Sequence, residues 1–412
     1  MSGPLGRLTA LLSIAAVVNG AVACSSDTSK ASSSATTQPP TESSSVGSRT
    51  GQASTSPAGT PSTALRVLSQ MDLAARVGQL FMVGTSSTKT DGDTLDAIAK
   101  YHVGGVILNG NSTASIEDTI VVTTALQNAS VAQSKPGSPR LLLSTDQEGG
   151  QVQRLRGTGF ERMPTGLEQG KMSADALRAA AKRWGEALTS AGVNMNLCPV
   201  LDTVPSAEFA SNNPPIGAFD REFGYTPAAV SSHGVAVIDG YTQAGVATSA
   251  KHFPGLGKVT GNTDTTAGVT DTTTTATDPY LGPFQAAIAD HVPAVMMSTA
   301  IYTRLDPAQP AAFSQRIVTD LLRKTMHFDG VVLSDDLGAA EQVSDVPVAD
   351  RATRFIAAGG DIVLTVDPTN VAPMAAAVLA QAQHDPTFKT QIDAAVLRIL
   401  TLKQRFNLIP SG

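Results

Sequence analysis

The chain is poor in several residue types, and each shortage narrows what it can be. It contains only two cysteines among 412 residues, Cys24 and Cys198, which is too few for a disulfide-stabilised scaffold. Aromatic residues make up 4% of the sequence, so aliphatic residues must fill most of the core that a hydrophobic content of 42% can build. Cys198 lies in a strand-like stretch, which is typical of a buried small residue.

Clustered positive charge is also missing. The formal net charge is −6, and no block of lysines and arginines interrupts this balance, which argues against nucleic acid as a partner. None of the six histidines is paired with another at the spacing of metal ligands. We therefore expect neither a metal ion nor another cofactor.

The amino-terminal part differs in composition from the rest of the chain. Residues 1–23 carry one arginine and then an apolar stretch that is too short for a stable membrane span, which predicts a secretory signal. The stretch ends in Ala21-Val22-Ala23-Cys24, which resembles the lipobox of bacterial lipoproteins, although leucine is more usual at the first position. The resemblance implies that Cys24 is acylated and that the protein is extracytoplasmic, anchored to the cell membrane. Residues 25–63 are almost all Ser, Thr, Ala, Gly, Pro and Gln, which predicts a disordered tether.

From residue 64 to 412, short apolar runs alternate with amphipathic helical runs. The predicted strands are 78–84, 104–108, 140–144, 193–200, 247–251, 294–298, 330–334 and 361–365. The clearest predicted helices are 174–191, 227–245, 314–326 and 348–358. Strands that alternate with helices indicate a parallel sheet, and eight such units favour a single closed (β/α)₈ barrel over an open sheet.

Ionisable residues gather where the predicted strands end. The residues in question are Asp146, Asp202, Lys251, His252, Asp335 and Asp367. In a barrel the carboxyl ends of all strands form one face, and that face holds the active site. We therefore expect most of these side chains to share one pocket.

Three motifs carry a resemblance to a known family. They are Asp146-Gln-Glu-Gly-Gly-Gln-Val-Gln-Arg-Leu155, Lys251-His-Phe-Pro-Gly-Leu-Gly257 and Leu333-Ser-Asp-Asp-Leu337. In this order and spacing they resemble glycoside hydrolase family 3, and within it the bacterial β-N-acetylglucosaminidases that trim cell-wall fragments. The resemblance runs from about residue 66 to residue 408.

The resemblance implies a retaining glycosidase, which needs one carboxylate nucleophile and one acid to protonate the leaving oxygen. It implies that Asp335 is the nucleophile, and this is also the first acidic residue beyond an apolar strand. The matching sugar-binding residues are Asp146, Arg154, Arg221, Lys251 and His252. We expect Glu148 and the two glycines after it to shape their loop.

The acid/base residue is where this sequence departs from the family. In the family, a histidine in the loop after the second motif protonates the leaving group, but the loop here reads Gly261-Asn-Thr-Asp-Thr-Thr266 and has no histidine. Asp264 falls on the position of that histidine, and burial beside Asp335 would raise its pKa. Asp271, carried in by loop closure, is the alternative. A third possibility is a chain of weak activity that only binds wall fragments.

These observations predict an exo-acting β-N-acetylglucosaminidase that acts on peptidoglycan-derived fragments as a lipid-anchored monomer. The partner it implies is a saccharide with terminal β-linked N-acetylglucosamine. Two alternatives remain open: a β-glucosidase of the same broad family, and a catalytically weak lipoprotein that binds wall fragments.

Overall fold

A computed structural model describes residues 62–132 and 138–410 of the chain. The predicted signal segment 1–23, Cys24 and nearly all of the predicted tether lie outside the described residues. Thr63, which we predicted as the last residue of the tether, is instead the first residue of a helix. Ser62 caps this helix by accepting a hydrogen bond from the Leu65 amide, which satisfies one of the free N–H groups of the first turn.

The centre of the described chain is a closed barrel of eight parallel strands. In chain order the strands are β1 (Phe81–Ser86), β2 (Gly105–Asn109), β3 (Leu142–Thr145), β4 (Met195–Asn196), β5 (Ala247–Phe253), β6 (Ala294–Met297), β7 (Val331–Asp336) and β8 (Ile362–Thr365). Each strand pairs with its neighbours in sequence, and β8 closes on β1. The predicted (β/α)₈ barrel is therefore confirmed.

Helices connect and surround the strands. The α-helices are Thr63–Gln70, Leu73–Gln79, Gly92–Tyr101, Ile116–Ala132, Gly166–Gln169, Ala174–Ser190, Ala207–Ala210, Pro227–Gln243, Gly282–Ala289, Val348–Ala358, Val371–His384 and Pro386–Arg405, and Arg316–Thr325 is a π-helix. In Ala174–Ser190 the residues predicted to form one apolar face, including Leu177, Trp184 and Leu188, are buried. Within the described ranges, no helix has the length and apolar character that a membrane crossing requires.

Two predicted strands differ from the observed ones by more than two residues at one end. β1 begins three residues later than predicted, because Gly78 and Gln79 complete the preceding helix. The predicted strand 193–200 is regular only at Met195–Asn196. Pro199 has no backbone N–H to donate, and beyond it the chain keeps an isolated bridge between Val200 and Lys251. This irregular stretch leads directly to Asp202.

The last helix, Pro386–Arg405, lies across the amino-terminal ends of the strands. Its Arg398 pairs with Asp361, which directly precedes β8, at 2.6 Å. Its Lys403 is fully buried, and the ammonium donates to Oε1 of Gln79, just before β1, at 2.7 Å. Burial lowers the pKa of Lys403 to about 7. A lysine in this position weakens the fold, because its charged form loses hydration without gaining a carboxylate partner among the described residues.

Replacing Lys403 with Met is therefore expected to stabilise the protein. The gain should be on the order of 2 kcal/mol at pH 6, because removing a buried charge outweighs the unpaired Gln79 oxygen. The unfolded state binds the extra proton up to a pH of about 10.5 and the folded state only up to about 7. The gain should therefore shrink as the pH rises between these values.

Urea midpoints at pH 6 and pH 9.5 measure this effect. Lys324→Met is the matched control, since Lys324 is exposed and pairs with Asp320 one helical turn away, and it should change stability little. A Lys403→Met protein less stable than wild type at pH 6 would show that the buried ammonium is well solvated.

Candidate active site

A pocket opens at the carboxyl-terminal end of the barrel. Its volume is about 310 Å³, within the range of small-molecule sites. Its lining contains the predicted nucleophile, the first candidate acid and all the predicted sugar-binding residues: Asp146, Arg154, Arg221, Lys251, His252, Asp264 and Asp335. Strand ends that are distant in sequence thus converge on one cavity, as the barrel geometry predicts.

Asp335 lies near the end of β7 with its carboxyl group facing this pocket. One carboxylate oxygen accepts a hydrogen bond from the Asp336 amide at 2.9 Å. Burial, reinforced by the negative charge of Asp264, raises the pKa of Asp335 to about 6, against the opposing influence of His252 and Lys251. The group is therefore a desolvated carboxylate that carries its charge near neutral pH, which suits a nucleophile.

Lys251 connects two carboxylates at the floor of the pocket. Its ammonium lies 2.6 Å from Asp146 and 2.6 Å from Glu148, and its side chain is only 3% exposed. Burial alone would lower the pKa of Lys251, but the two carboxylates raise it. Lys251 is therefore a fixed positive charge that holds Asp146 in place, while the Asp146 side chain remains 22% exposed to the pocket.

Glu148 has a larger role than its predicted one in loop shape. Both of its oxygens accept hydrogen bonds from the Arg221 guanidinium, at 2.7 and 2.8 Å, in the bidentate geometry that binds most strongly. Burial would raise the pKa of Glu148, but Arg221 and Lys251 hold it far below its usual value. Glu148 therefore orients two predicted sugar-binding cations. Gly149 shapes the loop as predicted. Its φ is +115°, and an added Cβ would lie 2.1 Å from the Pro164 carbonyl oxygen.

Asp202 orients His252. The Asp202 side chain is fully buried and accepts from His252 Nδ1 at 2.7 Å, from the His252 amide at 3.2 Å and from the Leu256 amide at 2.6 Å. Because a carboxylate only accepts, Nδ1 carries the ring proton, so Nε2 is the ring nitrogen that can meet a ligand. The sequence placed Asp202 at a strand end, but no motif assigned it this partner.

Arg154 lies at the wall of the pocket, beyond a short ribbon formed by Gln147–Gly149 and Val152–Gln153. Its backbone amide bonds to the Asp146 carbonyl at 3.2 Å. Its guanidinium donates to Asn111 Oδ1 at 3.4 Å. No carboxylate of the described residues pairs with it, so this charge can reach a ligand.

Asp264 lines the pocket but is not buried as predicted. Its side chain is exposed, because residues 264–268 form the outer part of the long connection after β5. Burial therefore cannot be what prepares Asp264 for proton transfer, and that part of the prediction is wrong. Its charge nevertheless acts on Asp335, where it is the second largest influence on the pKa.

Asp271, the alternative acid, has a structural role. It is buried, and its carboxylate accepts hydrogen bonds from the amides and hydroxyls of Thr273 and Thr274 at 2.6 to 3.1 Å. It is absent from the residues that line the pocket. The arrangement is that of a capped turn, and it leaves Asp264 as the acidic residue of this loop that reaches the cavity.

The match to a family profile extends over most of the described chain. The profile of the glycosyl hydrolase family 3 N-terminal domain matches residues 72–402, and these residues include the whole barrel and pocket. The chain belongs to glycosyl hydrolase family 3. The predicted family and the predicted glycoside hydrolase are thereby confirmed.

Three proteins of named activity are similar to this family 3 hydrolase in sequence or in structure. A "Beta-hexosaminidase" of Xanthomonas oryzae pv. oryzae is 32% identical over 316 residues, covering 73% of this chain and 87% of the relative. The crystal structure of a β-N-acetylhexosaminidase from Beutenbergia cavernae has 51% identity and a TM-score of 0.80, covering 81% of this chain and 99% of the other. A family 3 β-N-acetylglucosaminidase from Paenibacillus has 31% identity and a TM-score of 0.76, covering 83% of this chain and 64% of the other.

Proposed function

We propose that this family 3 hydrolase removes terminal, non-reducing β-linked N-acetylglucosamine from peptidoglycan-derived fragments with retention of configuration. The observation that carries the proposal is the position of Asp335 in one cavity with Asp146, Lys251 and His252. A carboxylate, an ammonium and an imidazole around one small cavity offer acceptors and donors for the hydroxyls of a single sugar. The names of the similar β-N-acetylhexosaminidases support the choice of sugar.

The first step breaks the glycosidic bond. The Asp335 carboxylate attacks the anomeric carbon and forms a covalent ester, while Asp264, in its protonated form, donates a proton to the departing oxygen. The sugar-binding groups hold the ring so that the anomeric carbon faces Asp335. The Lys251 ammonium stays paired with Asp146 and Glu148 during this step.

The second step releases the sugar. Asp264, now ionised, accepts a proton from a water molecule, and the oxygen of that water attacks the anomeric carbon. The ester bond to Asp335 breaks and the carboxylate is restored. Asp264 is exposed, so both water and a leaving group can reach it, whereas a buried acid would have to wait for the loop to move.

The pKa of Asp335 predicts the acidic limb of the pH profile. The nucleophile must be ionised, so kcat/KM should rise with pH through about 6 and then level off. An aspartate in water would place this rise near pH 4. An aryl N-acetylglucosaminide with an acidic phenol, assayed from pH 4 to pH 8, isolates this ionisation because its departure needs little protonation. A rise of kcat/KM near pH 4 instead would mean that Asp335 is well hydrated.

The cellular part of the proposal is an enzyme tethered through an acylated Cys24 to the outer face of the cell membrane, as a monomer. Its support is the lipobox-like sequence and the Ser/Thr-rich composition of residues 25–63. Globomycin-sensitive processing, together with loss of membrane association in Cys24→Ala, is the expected result. Release of wild type and variant to the same extent would contradict it.

One observation favours a second candidate, a wall-fragment-binding lipoprotein without appreciable turnover. The loop that carries the family's catalytic histidine has none here. Incubation with a 5-fluoro-N-acetylglucosaminyl fluoride separates the two functions. The hydrolase predicts a mass increase of one fluorosugar, mapped by peptide sequencing to Asp335, with no adduct in Asp335→Ala. Binding without an adduct, and without sugar release from any N-acetylglucosaminide, would support the binder.

A further inference from the structure

The loop that carries Asp264 is attached to the segment that directly follows β7. The backbone amides of Glu341 and Gln342 donate to the carbonyls of Asp264 and Thr263, at 3.1 and 3.0 Å. The donors lie in the 3-10 turn Glu341–Val343, a few residues after Asp335. The proposed nucleophile and the proposed acid are therefore joined through a short, hydrogen-bonded stretch of chain.

The side chain of Gln342 completes this attachment. Its Oε1 accepts from the Val269 amide at 2.7 Å, and its Nε2 donates to the Val269 carbonyl at 3.3 Å. Gln342 is 5% exposed and Val269 is also 5% exposed, so water cannot easily replace either bond. The buried amide group of Gln342 thus holds the loop at Val269, while Asp264 in the outer part of the loop stays exposed.

The beginning of the same loop is fixed independently. The fully buried Asn213 donates to the carbonyls of Leu256 and Val259, both at 2.8 Å. The segment between Val259 and Val269 is therefore held at Val259 by Asn213. At Val269 it is held by the Gln342 side chain and by the Ile301 amide, and Gln342 belongs to the stretch that follows the strand bearing Asp335. Loss of the Gln342 side chain would loosen the loop at Val269 and leave Asp264 held to this stretch by the backbone bonds from Glu341 and Gln342 alone.

We propose that Gln342 is a positioning residue that holds Asp264 over Asp335. The inference rests on the proposed function, since it assigns a role in proton transfer that Asp264 has only if the chain is a hydrolase. Gln342 does not line the pocket and so acts through Asp264. Its loss should therefore affect substrates in proportion to their need for protonation.

Gln342→Met, which keeps the length and apolar volume of the side chain, tests this role. On a disaccharide with an unactivated leaving group we expect kcat to fall about 10-fold or more, and on an aryl substrate with an acidic phenol we expect less than about a 3-fold loss. The acidic limb measured with the aryl substrate should also move to lower pH, since Asp264 would spend less time near Asp335. Gln342→Asn should give smaller rate losses with the same preference for the unactivated substrate. It keeps a polar side chain at this buried site, which helps the variant to fold.

Gln127→Met is the matched control, because the Gln127 amide group bonds in the same way to the amide and the carbonyl of one residue, Leu141, at the opposite end of the barrel. It should leave the ratio of the two rates unchanged. Equal rate losses on both substrates in the Gln342 variants, with the acidic limb of the pH profile unchanged, would mean that Gln342 only stabilises the fold. Wild-type turnover of both substrates tests the proposed function, and the ratio in the variants tests the inference, so the two can fail separately.

Discussion

Replacing Asp335 with Asn should lower kcat on every N-acetylglucosaminide by about 10⁴-fold or more. The amide cannot form the covalent ester, and losses of this order follow removal of a nucleophile elsewhere. The substitution is nearly isosteric and removes a desolvated, like-charged carboxylate, so the folded state should be at least as stable as wild type. Single-turnover rates on an aryl substrate, with thermal midpoints beside them, measure both effects.

Asp329→Asn is the control for this experiment. Asp329 is an exposed aspartate just before β7, at the amino-terminal end of the strand that carries Asp335. It lines a groove with Pro293 and Arg398, far along the strand from the pocket, and its substitution should leave the rate within about 2-fold. An Asp335→Asn protein that keeps more than a few per cent of activity would remove Asp335 from the proposed mechanism.

Replacing Asp264 with Asn should give a loss that depends on the leaving group. On an unactivated disaccharide we expect a fall of about 10²- to 10³-fold, because the departing oxygen is no longer protonated. On an aryl substrate with an acidic phenol the first step should change little. The measurement is kcat/KM across a series of phenols, whose dependence on phenol pKa should be steeper in the variant.

The same substitution should shift the pH profile. The charge of Asp264 raises the pKa of Asp335, so removing it lowers that pKa and moves the acidic limb below pH 6. Asp271→Asn serves as the comparison, because Asp271 caps a buried turn. It should reduce stability while leaving the dependence on phenol pKa as in wild type. Full activity of Asp264→Asn on the unactivated disaccharide would contradict the proposed acid.

The barrel could be predicted from the sequence because its signals are local. Apolar runs of strand length alternate with helices such as Ala174–Ser190, whose buried face is visible as a spacing of apolar residues. The site residues could be predicted because barrel topology brings strand ends to one face whatever the connections are. For Asp335 and Lys251, near the ends of β7 and β5, the strand ends predicted a place in the pocket, and the resemblance to the family predicted their roles.

What could not be predicted depends on partners far apart in the chain. Glu148 and Arg221 are separated by 73 positions, and so are Gln342 and Val269. No local pattern distinguishes a carboxylate that binds such a partner from one that faces water. The burial expected for Asp264 was wrong for the same reason, since the exposure of a loop residue is set by what packs against the loop.

The point at which the chain enters the barrel domain affects how the enzyme can be mounted. The Ala64 amide bonds to Gln404 at 3.0 Å, next to the lysine that reaches beneath β1. Residue 62 therefore leaves the domain at the pole opposite the sugar pocket. A catalyst immobilised on beads or on a surface close to residue 62 would present its cavity outward, so that a large substrate could approach it without meeting the support.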